Sequence, residues 1–398
     1  MNGMSVFSGM VILDHMSMLA ILASTLLGLQ AAPDGSSSSD PLERGRPWWR
    51  TIETRPLFPQ ELSEDGLPRG WKIVGGPAQY RFETGPDGER ILHGSGNSPR
   101  NAFLVDPRVT GDFLLEFEVL IDRDGGNSGV QVRSAVDGER MVGYQIEIDP
   151  SPRSWSGGLY DEGRRGWLAS LADNADARSA FVPGRWNRYT VLAIGPRIRT
   201  WINDVPAIDH VDFADPKGRI GLQVHGGRCE VRWRNLRIAD LGVRNVATWS
   251  PGTGRLSVDG AATPVVVPPD GLDVSVEQAI PDAPTTIRIE TTLKRGTLHV
   301  EMKNPGSGSG YTLTVPSPLG VGKAGVIRLV RDVDAIRAFV DDVPMVPGPP
   351  ALEGPLRLAI RADAGTDAVI RRIDVIGPSE TESRVIDEWR SRDVDPGR

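Results

Sequence analysis

Cysteine is almost absent. The single Cys229 excludes an internal disulfide, and no Cys-x-x-Cys or Cys/His spacing offers a zinc site. One-sided charge is missing too. Acid and base are mixed along a chain of net charge −7, so no basic stripe points to nucleic acid. No phosphate-binding loop is present, because Val321-Gly322-Lys323-Ala324-Gly325 has neither the upstream glycine nor the following hydroxyl residue. A Gly-x-Ser-x-Gly elbow is lacking as well. The only long apolar run, Met16 to Leu29, falls short of the ~20 residues of a membrane span. Gln30-Ala31-Ala32 follows it with small residues, which reads as a signal peptide over 1–31 and predicts an exported protein. No cysteine follows to carry a lipid anchor.

Glycine and proline are abundant, at 46 and 32 of 398 residues, a turn-rich and not a helical composition. After a Ser/Pro/Gly linker over 32–50, short apolar runs alternate with Gly/Pro/Asp/Asn clusters roughly every ten residues, the spacing of a β-sandwich or barrel. Side chains alternate faces along a strand. Val130, Val132, Ile146, Ile148, Leu222 and Val224 are therefore expected inside. Gln131, Arg133, Gln145, Glu147, Asp149, Gln223 and His225 are expected on the other face. Their forked or dual hydrogen-bonding groups suit sugar hydroxyls.

Two segments add to that face. Gly125-Gly126-Asn127-Ser128-Gly129 is a tight turn that lets backbone approach a ligand, with Asn127 to donate and accept. The glycine-rich loop 155–167 concentrates Trp155, Tyr160 and Trp167 with Arg164 and Arg165, and sugar rings stack on such aromatic faces. Glu147 and Asp149 lie two residues apart on one strand face, ~6.6 Å, inside the ~6.5–9.5 Å of inverting glycosidase pairs. Repulsion between them would raise one pKa and leave the other carboxyl ionised. His225 is a proton carrier near neutral pH. No cofactor is expected. Calcium is the divalent metal that acidic loops in a sandwich would hold.

The chain repeats itself after residue 242. Ile198–Pro206 parallels Ile336–Pro344, Gly218–Val224 parallels Gly354–Ile360, and Gly143–Ile148 parallels Gly310–Val315. Gln145, Glu147 and Gln223 become Thr312, Thr314 and Ala359, so the second copy keeps core positions while its polar face loses chemistry. The expected layout is a first domain over 51–242, a second degenerate sandwich over 243–378 and a charged tail over 379–398.

Several pieces in order carry a family resemblance: Leu57-Phe58 with Gly70-Trp71, Gly126-Asn127-Ser128-Gly129-Val130, Gly143-Tyr144-Gln145-Ile146-Glu147, Gly157-Gly158-Leu159-Tyr160, Gly184-Arg185-Trp186-Asn187, Thr200-Trp201-Ile202-Asn203, Gly221–Gly226 and Val231–Ile238. Residues 55 to 241 resemble the domain of unknown function 1080, also called the 3-keto-disaccharide hydrolase or 3-keto-glucoside lyase/hydratase domain. The resemblance implies a concanavalin-like lectin/glucanase jelly roll, a carbohydrate partner, and cleavage or hydration of 3-keto-glycosides. It implies Glu147 as base, His225 or Asp149 as acid and Arg133 as oxyanion stabiliser. The polar face, the glycine turn and the aromatic loop offer Asn127, Gln131, Gln145, Trp155, Tyr160, Arg165, Trp167 and Gln223 to bind sugar. The family strand reads Tyr-Glu-x-Gln; here Tyr144 precedes Gln145 and Glu147, so carboxylate and amide are exchanged. Two alternatives stay open. One is a laminarinase-like glycosidase, whose second glutamate is replaced here by Ser151-Pro152-Arg153. The other is a non-catalytic carbohydrate-binding module.

Overall fold

The computed structural model describes residues 48–244 and most of 246–378. The expected leader over 1–31, the linker as far as residue 47 and, Arg384 apart, the charged tail lie outside the described residues. The last residues assigned to the linker are structured. Trp48–Thr51 form a 3-10 turn, and Trp49 is buried with its ring 4.6 Å from that of Trp201.

The first sandwich holds fifteen strands: β1 (Arg55–Pro56), β2 (Lys72–Gly75), β3 (Gln79–Thr84), β4 (Arg90–Ser98), β5 (Ala102–Val105), β6 (Asp112–Ile121), β7 (Ser128–Asp137), β8 (Arg140–Ile148), β9 (Leu159–Glu162), β10 (Gly166–Ala169), β11 (Asn187–Ile194), β12 (Arg197–Ile202), β13 (Val205–Val211), β14 (Arg219–Val224) and β15 (Gly227–Gly242). One sheet runs β13-β12-β11-β6-β15-β4-β3, with β1 on β15; the facing sheet runs β10-β9-β8-β7-β14-β5-β2. The alternation decides which faces meet. Val130, Val132, Ile146, Ile148, Leu222 and Val224 are all buried between the sheets, against Phe117, Tyr189 and Trp233. Fully burying each such side chain is worth roughly 1.5–3 kcal/mol. The fold is the expected all-β jelly-roll sandwich. Among the described residues no helix is long and apolar enough to cross a membrane.

One departure from regular strand geometry shapes everything that follows. Arg133 adopts φ +48°, and the β7–β8 ladder loses register between Val132 and Ala135. Opposite, Gly143 sits at φ +136°, where a Cβ would come within 2.9 Å of the Ser134 Cα, so only glycine fits. A bulge of this kind bends a strand sharply. The far half of the hairpin folds back over the outer face of its own sheet. Met141 then joins Phe103 and Val105 in a small apolar cluster and lies against Gly221.

The second sandwich contains β16 (Val246–Ser250), β17 (Arg255–Val258), β18 (Val265–Val266), β19 (Leu272–Ser275), β20 (Thr285–Arg295), β21 (Thr297–Lys303), β22 (Gly310–Pro316), β23 (Gly325–Arg331), β24 (Ile336–Val340), β25 (Val343–Pro344), β26 (Arg357–Ala362) and β27 (Asp367–Ile376). Its larger sheet runs β17-β16-β27-β20-β23-β24-β25, with β18 on β27, and its smaller one β19-β26-β21-β22. The series β25-β24-β23-β20-β27 reproduces β13-β12-β11-β6-β15, and β19-β26-β21-β22 reproduces β5-β14-β7-β8. Even the turns agree. Asn203-Asp204 and Asp341-Asp342 both hold positive φ at two successive residues, the requirement of a type I′ hairpin. Among the described residues the second copy has no counterpart of β9 and β10, and β22 is the edge of its sheet. Its outer face is not bare, however, since His299, Glu301 and Arg361 stand there and pair with Asp363, Lys303 and one another.

Candidate active site

A cleft of about 510 Å³ opens on the outer face of the seven-stranded sheet. Gln145 and Glu147 of β8 form its floor, since both alternate with the buried Ile146 and Ile148. Asn127 enters from the turn before β7 and His225 from the end of β14. Tyr160 and Trp167, from the β9–β10 hairpin, make an aromatic wall. Glu162 ends β9, paired with Gly143 where β8 bends, and Ser151 and Arg153 come with the loop after β8.

Glu147 is the best-held group. Its backbone is tied on both sides, N–H to the Gly158 carbonyl at 3.0 Å and carbonyl to the Gly157 N–H at 2.8 Å. Oε1 accepts from Asn127 Nδ2 and Arg153 Nη2, each at 2.9 Å, and Oε2 accepts from Gln145 Nε2 at 3.2 Å. The residue is only 4% exposed. Burial pushes its carboxyl above the ordinary glutamate value, beyond what Asn127 and Arg153 recover. Glu162, half-buried and accepting from Asn101 Nδ2 at 3.1 Å, is also raised by burial. Two carboxyls with raised pKa thus share one cleft with a guanidinium. His225 donates from Nδ1 to the Gly226 carbonyl at 2.7 Å.

Asp149 behaves oppositely. Burial pushes it up, but hydrogen bonds from Ser151 and Arg153 outweigh that and hold it below its ordinary value. Arg153 Nε reaches its Oδ2 at 2.7 Å while Nη2 holds Glu147, so one guanidinium clamps both carboxylates. That lowered value weighs against the acid role expected for Asp149. Arg153 is itself placed by aromatic rings, its Cζ 5.1 Å from the Trp155 centroid and 5.0 Å from that of Trp167.

Five other expected site residues do not line the cleft. Arg133 is 1% exposed and points away from the cleft. Its guanidinium donates to the Gly111 carbonyl at 2.7 Å and to Asp112 at 2.7 Å, and Asp112 in turn pairs with Arg244. The bend at Arg133 turns the side chain out of the strand's alternation. Gln131 and Gln223 lie on the correct face but are sealed beneath the folded-back hairpin. Gln131 donates to Gln145 at 2.9 Å and accepts from Ser134 at 2.6 Å. The Gln223 amide has no hydrogen-bond partner among the described residues. Arg165 pairs with Asp161 and Asp212, outside the cleft. Trp155 supports the wall from behind, edge-on to Trp167 at 4.8 Å and against the core. Sequence reasoning missed Arg153, Glu162 and Asn101. Glu162 was legible, because it shares a strand face with Tyr160 two residues earlier. Arg153 and Asn101 reach the cleft from loops, where no periodicity applies. Among the described residues no three His, Cys, Asp or Glu side chains converge as metal ligands.

Gly129 lies directly opposite Glu147 in the β7–β8 ladder, and a Cβ there would come within 2.5 Å of the Gln145 amide carbon. Gly129→Ala is expected to push Gln145 off Glu147 and weaken sugar binding about tenfold, read as Kd or KM, with little change in melting temperature.

Residues 55–239 match the family model described as "3-keto-alpha-glucoside-1,2-lyase-like domain". The match takes in the first sandwich, and by that description the family is a carbohydrate-related one. No curated protein matches the chain. Among solved structures, the chain is similar to a carbohydrate binding module, CBM66, from Bacillus subtilis, at 15% identity over 42% of this chain and 93% of that one, TM-score 0.30. A putative glycosyl hydrolase from Parabacteroides distasonis shares 19% identity over 48% of this chain and 100% of its own, TM-score 0.32. A Bacillus subtilis protein of unknown function with a galectin-like fold shares 12% over 48% and 95%, TM-score 0.33.

Proposed function

We propose that the first sandwich cleaves 3-keto-glycosides by elimination. The observation that carries this reading is the Glu147 carboxyl: buried in a cleft, raised in pKa, and hydrogen-bonded through Oε1 to a cation. A ketone at C3 acidifies the C2 proton. Glu147 takes that proton, and the electron pair passes into the C2–C3 bond as the ketone oxygen becomes an enolate. Arg153, rather than Arg133, balances the enolate charge. When the enolate carbonyl reforms, a C1–C2 double bond forms, the C1–O bond breaks, and the aglycone oxygen leaves with a proton from Glu162, the second carboxyl of the cleft. Addition of water to the resulting 3-keto-glycal would complete a net hydrolysis. Tyr160 and Trp167 stack on the sugar.

The test is turnover of 3-keto-disaccharides and their unoxidised parents by the full chain, with and without chelator. Loss of the 3-keto substrate with release of the aglycone is expected, and the parent sugar should persist. A chelator-sensitive rate would add calcium to the site. The aromatic wall supports one second reading, non-catalytic carbohydrate recognition. Saturable glycan binding with no turnover of either sugar would establish that reading and overturn the first. We also propose export, on the Met16–Leu29 run; the mature N-terminus of protein recovered outside the cytoplasm would begin near Ala32.

A further inference from the structure

The two sandwiches enclose a second cavity between them, about 390 Å³, that sugar elimination does not use. Its volume lies within the ~300–1,000 Å³ of small-molecule pockets. Part of its wall is the β20–β23 ladder. There Arg288 and Arg328 are direct cross-strand partners, so both guanidiniums leave the same face of the sheet. Like charges directly opposite one another destabilise a ladder. These two are also shielded from water, at 28% and 13% exposure. Burial, with Arg288 close by, lowers the Arg328 pKa despite Asp342.

Carboxylates reach this pair from outside the cavity wall: Glu290 at 3.1 Å and Asp374 at 3.5 Å on Arg288, and Asp342 on Arg328. Inside the wall, four cations (Lys217, Arg244, Arg288 and Arg328) face two carboxylates, Asp112 and Asp212. Both carboxylates are engaged already, Asp112 by Arg133 and Arg244, and Asp212 by Arg165 and the Tyr144 hydroxyl. The remaining lining is apolar, including Phe213, Pro216, Val243 and Ile376. The Arg328 guanidinium lies 4.2 Å from the Phe213 ring centroid, and Phe339 steadies that ring edge-on at 5.5 Å. A paired-arginine floor beside a fixed aromatic is a recognition surface for a carboxylate on a flat, apolar body.

We propose that the cavity between the sandwiches binds a small organic anion with an aromatic or other apolar body, its carboxylate between Arg288 and Arg328 and its ring against Phe213. Thr286, on the same strand face as Arg288, adds a hydroxyl to the site. This site is independent of the sugar cleft.

The experiment is calorimetric titration of the full chain with 4-hydroxybenzoate, with neutral 4-hydroxybenzyl alcohol and inorganic phosphate as comparisons. Saturable one-site binding of 4-hydroxybenzoate is expected, with the alcohol and phosphate each at least about tenfold weaker. Arg288→Gln and Phe213→Ala should each weaken the benzoate about tenfold or more, while Glu147→Gln should bind it as the wild type does. Circular dichroism confirms folding, and if one variant fails to fold the other still decides. The proposal is overturned if the wild type shows no saturable binding at millimolar benzoate, if alcohol or phosphate binds equally well, or if folded variants bind unchanged. Loss of benzoate binding in Glu147→Gln would also overturn it, by placing the anion in the sugar cleft.

Discussion

Glu147→Gln is expected to lower turnover of a 3-keto-disaccharide about 10²–10⁴-fold, the usual contribution of a positioned general base. Glutamine retains an oxygen for Asn127 and Arg153, so substrate affinity should stay within a few-fold. The stability of this variant points the other way. Burial raises the Glu147 pKa, so the ionised carboxyl opposes folding. A carboxyl raised on folding contributes stability that is present at low pH and lost as pH rises through the folded value. Near neutral pH the amide removes that cost, and the melting temperature should hold or rise. The same direction fixes the acid limb of kcat/KM: activity should appear only as pH climbs above the ordinary glutamate range, and Glu147→Gln should abolish that limb. A variant with full turnover, or an acid limb at an ordinary carboxylate value, would remove Glu147 from the chemistry.

Arg133→Met should do the reverse, acting on stability before chemistry. Arg133 and Asp112 are 1% and 2% exposed in their side chains, and Arg244 shares the same carboxylate. Removing one partner of a buried pair typically costs about 3–5 kcal/mol. At ~2–4 °C per kcal/mol for a domain of this size, the melting temperature should fall by roughly 6–20 °C. Arg153→Met is the control. Arg153 is 41% exposed, so the melting temperature of its variant should fall by less, the loss coming from the buried Glu147 and Asp149 carboxyls left without a cation, while turnover should drop about a hundredfold for want of an enolate partner. Equal melting temperatures for the two variants would mean that the Arg133 cluster is not structural.

These two arginines also show what the sequence could and could not reveal. Strict alternation placed Val130, Val132, Ile146 and Ile148 inside correctly, because burial selects one face of a regular strand. It failed at the very next residue after Val132 in the same strand, at Arg133, because one left-handed residue breaks the period. Bulge positions carry no hydrophobic signature, and Arg is an uncommon residue at φ +48°. The fold-back seals Gln131 and Gln223 for the same reason. The duplication was legible because the type I′ turns and inward aliphatics recur at fixed offsets. Glu147, Asn127, Tyr160 and Trp167 were legible as one constellation. The clamp formed by Arg153 on Glu147 and Asp149 depends on a loop whose path only the assembled rings of Trp155 and Trp167 fix.

The folded-back hairpin has a consequence for substrate shape. Glu162 touches Asn101, and Arg100 pairs with Glu139, although in the sheet order the hairpin and the β5 edge stand on opposite sides of β14. These contacts cross over β14 beside the cleft, whose lining includes both Asn101 and Glu162. If the proposed elimination takes place there, a disaccharide should turn over faster than an internal bond of a long chain, which competition between the two substrates would measure.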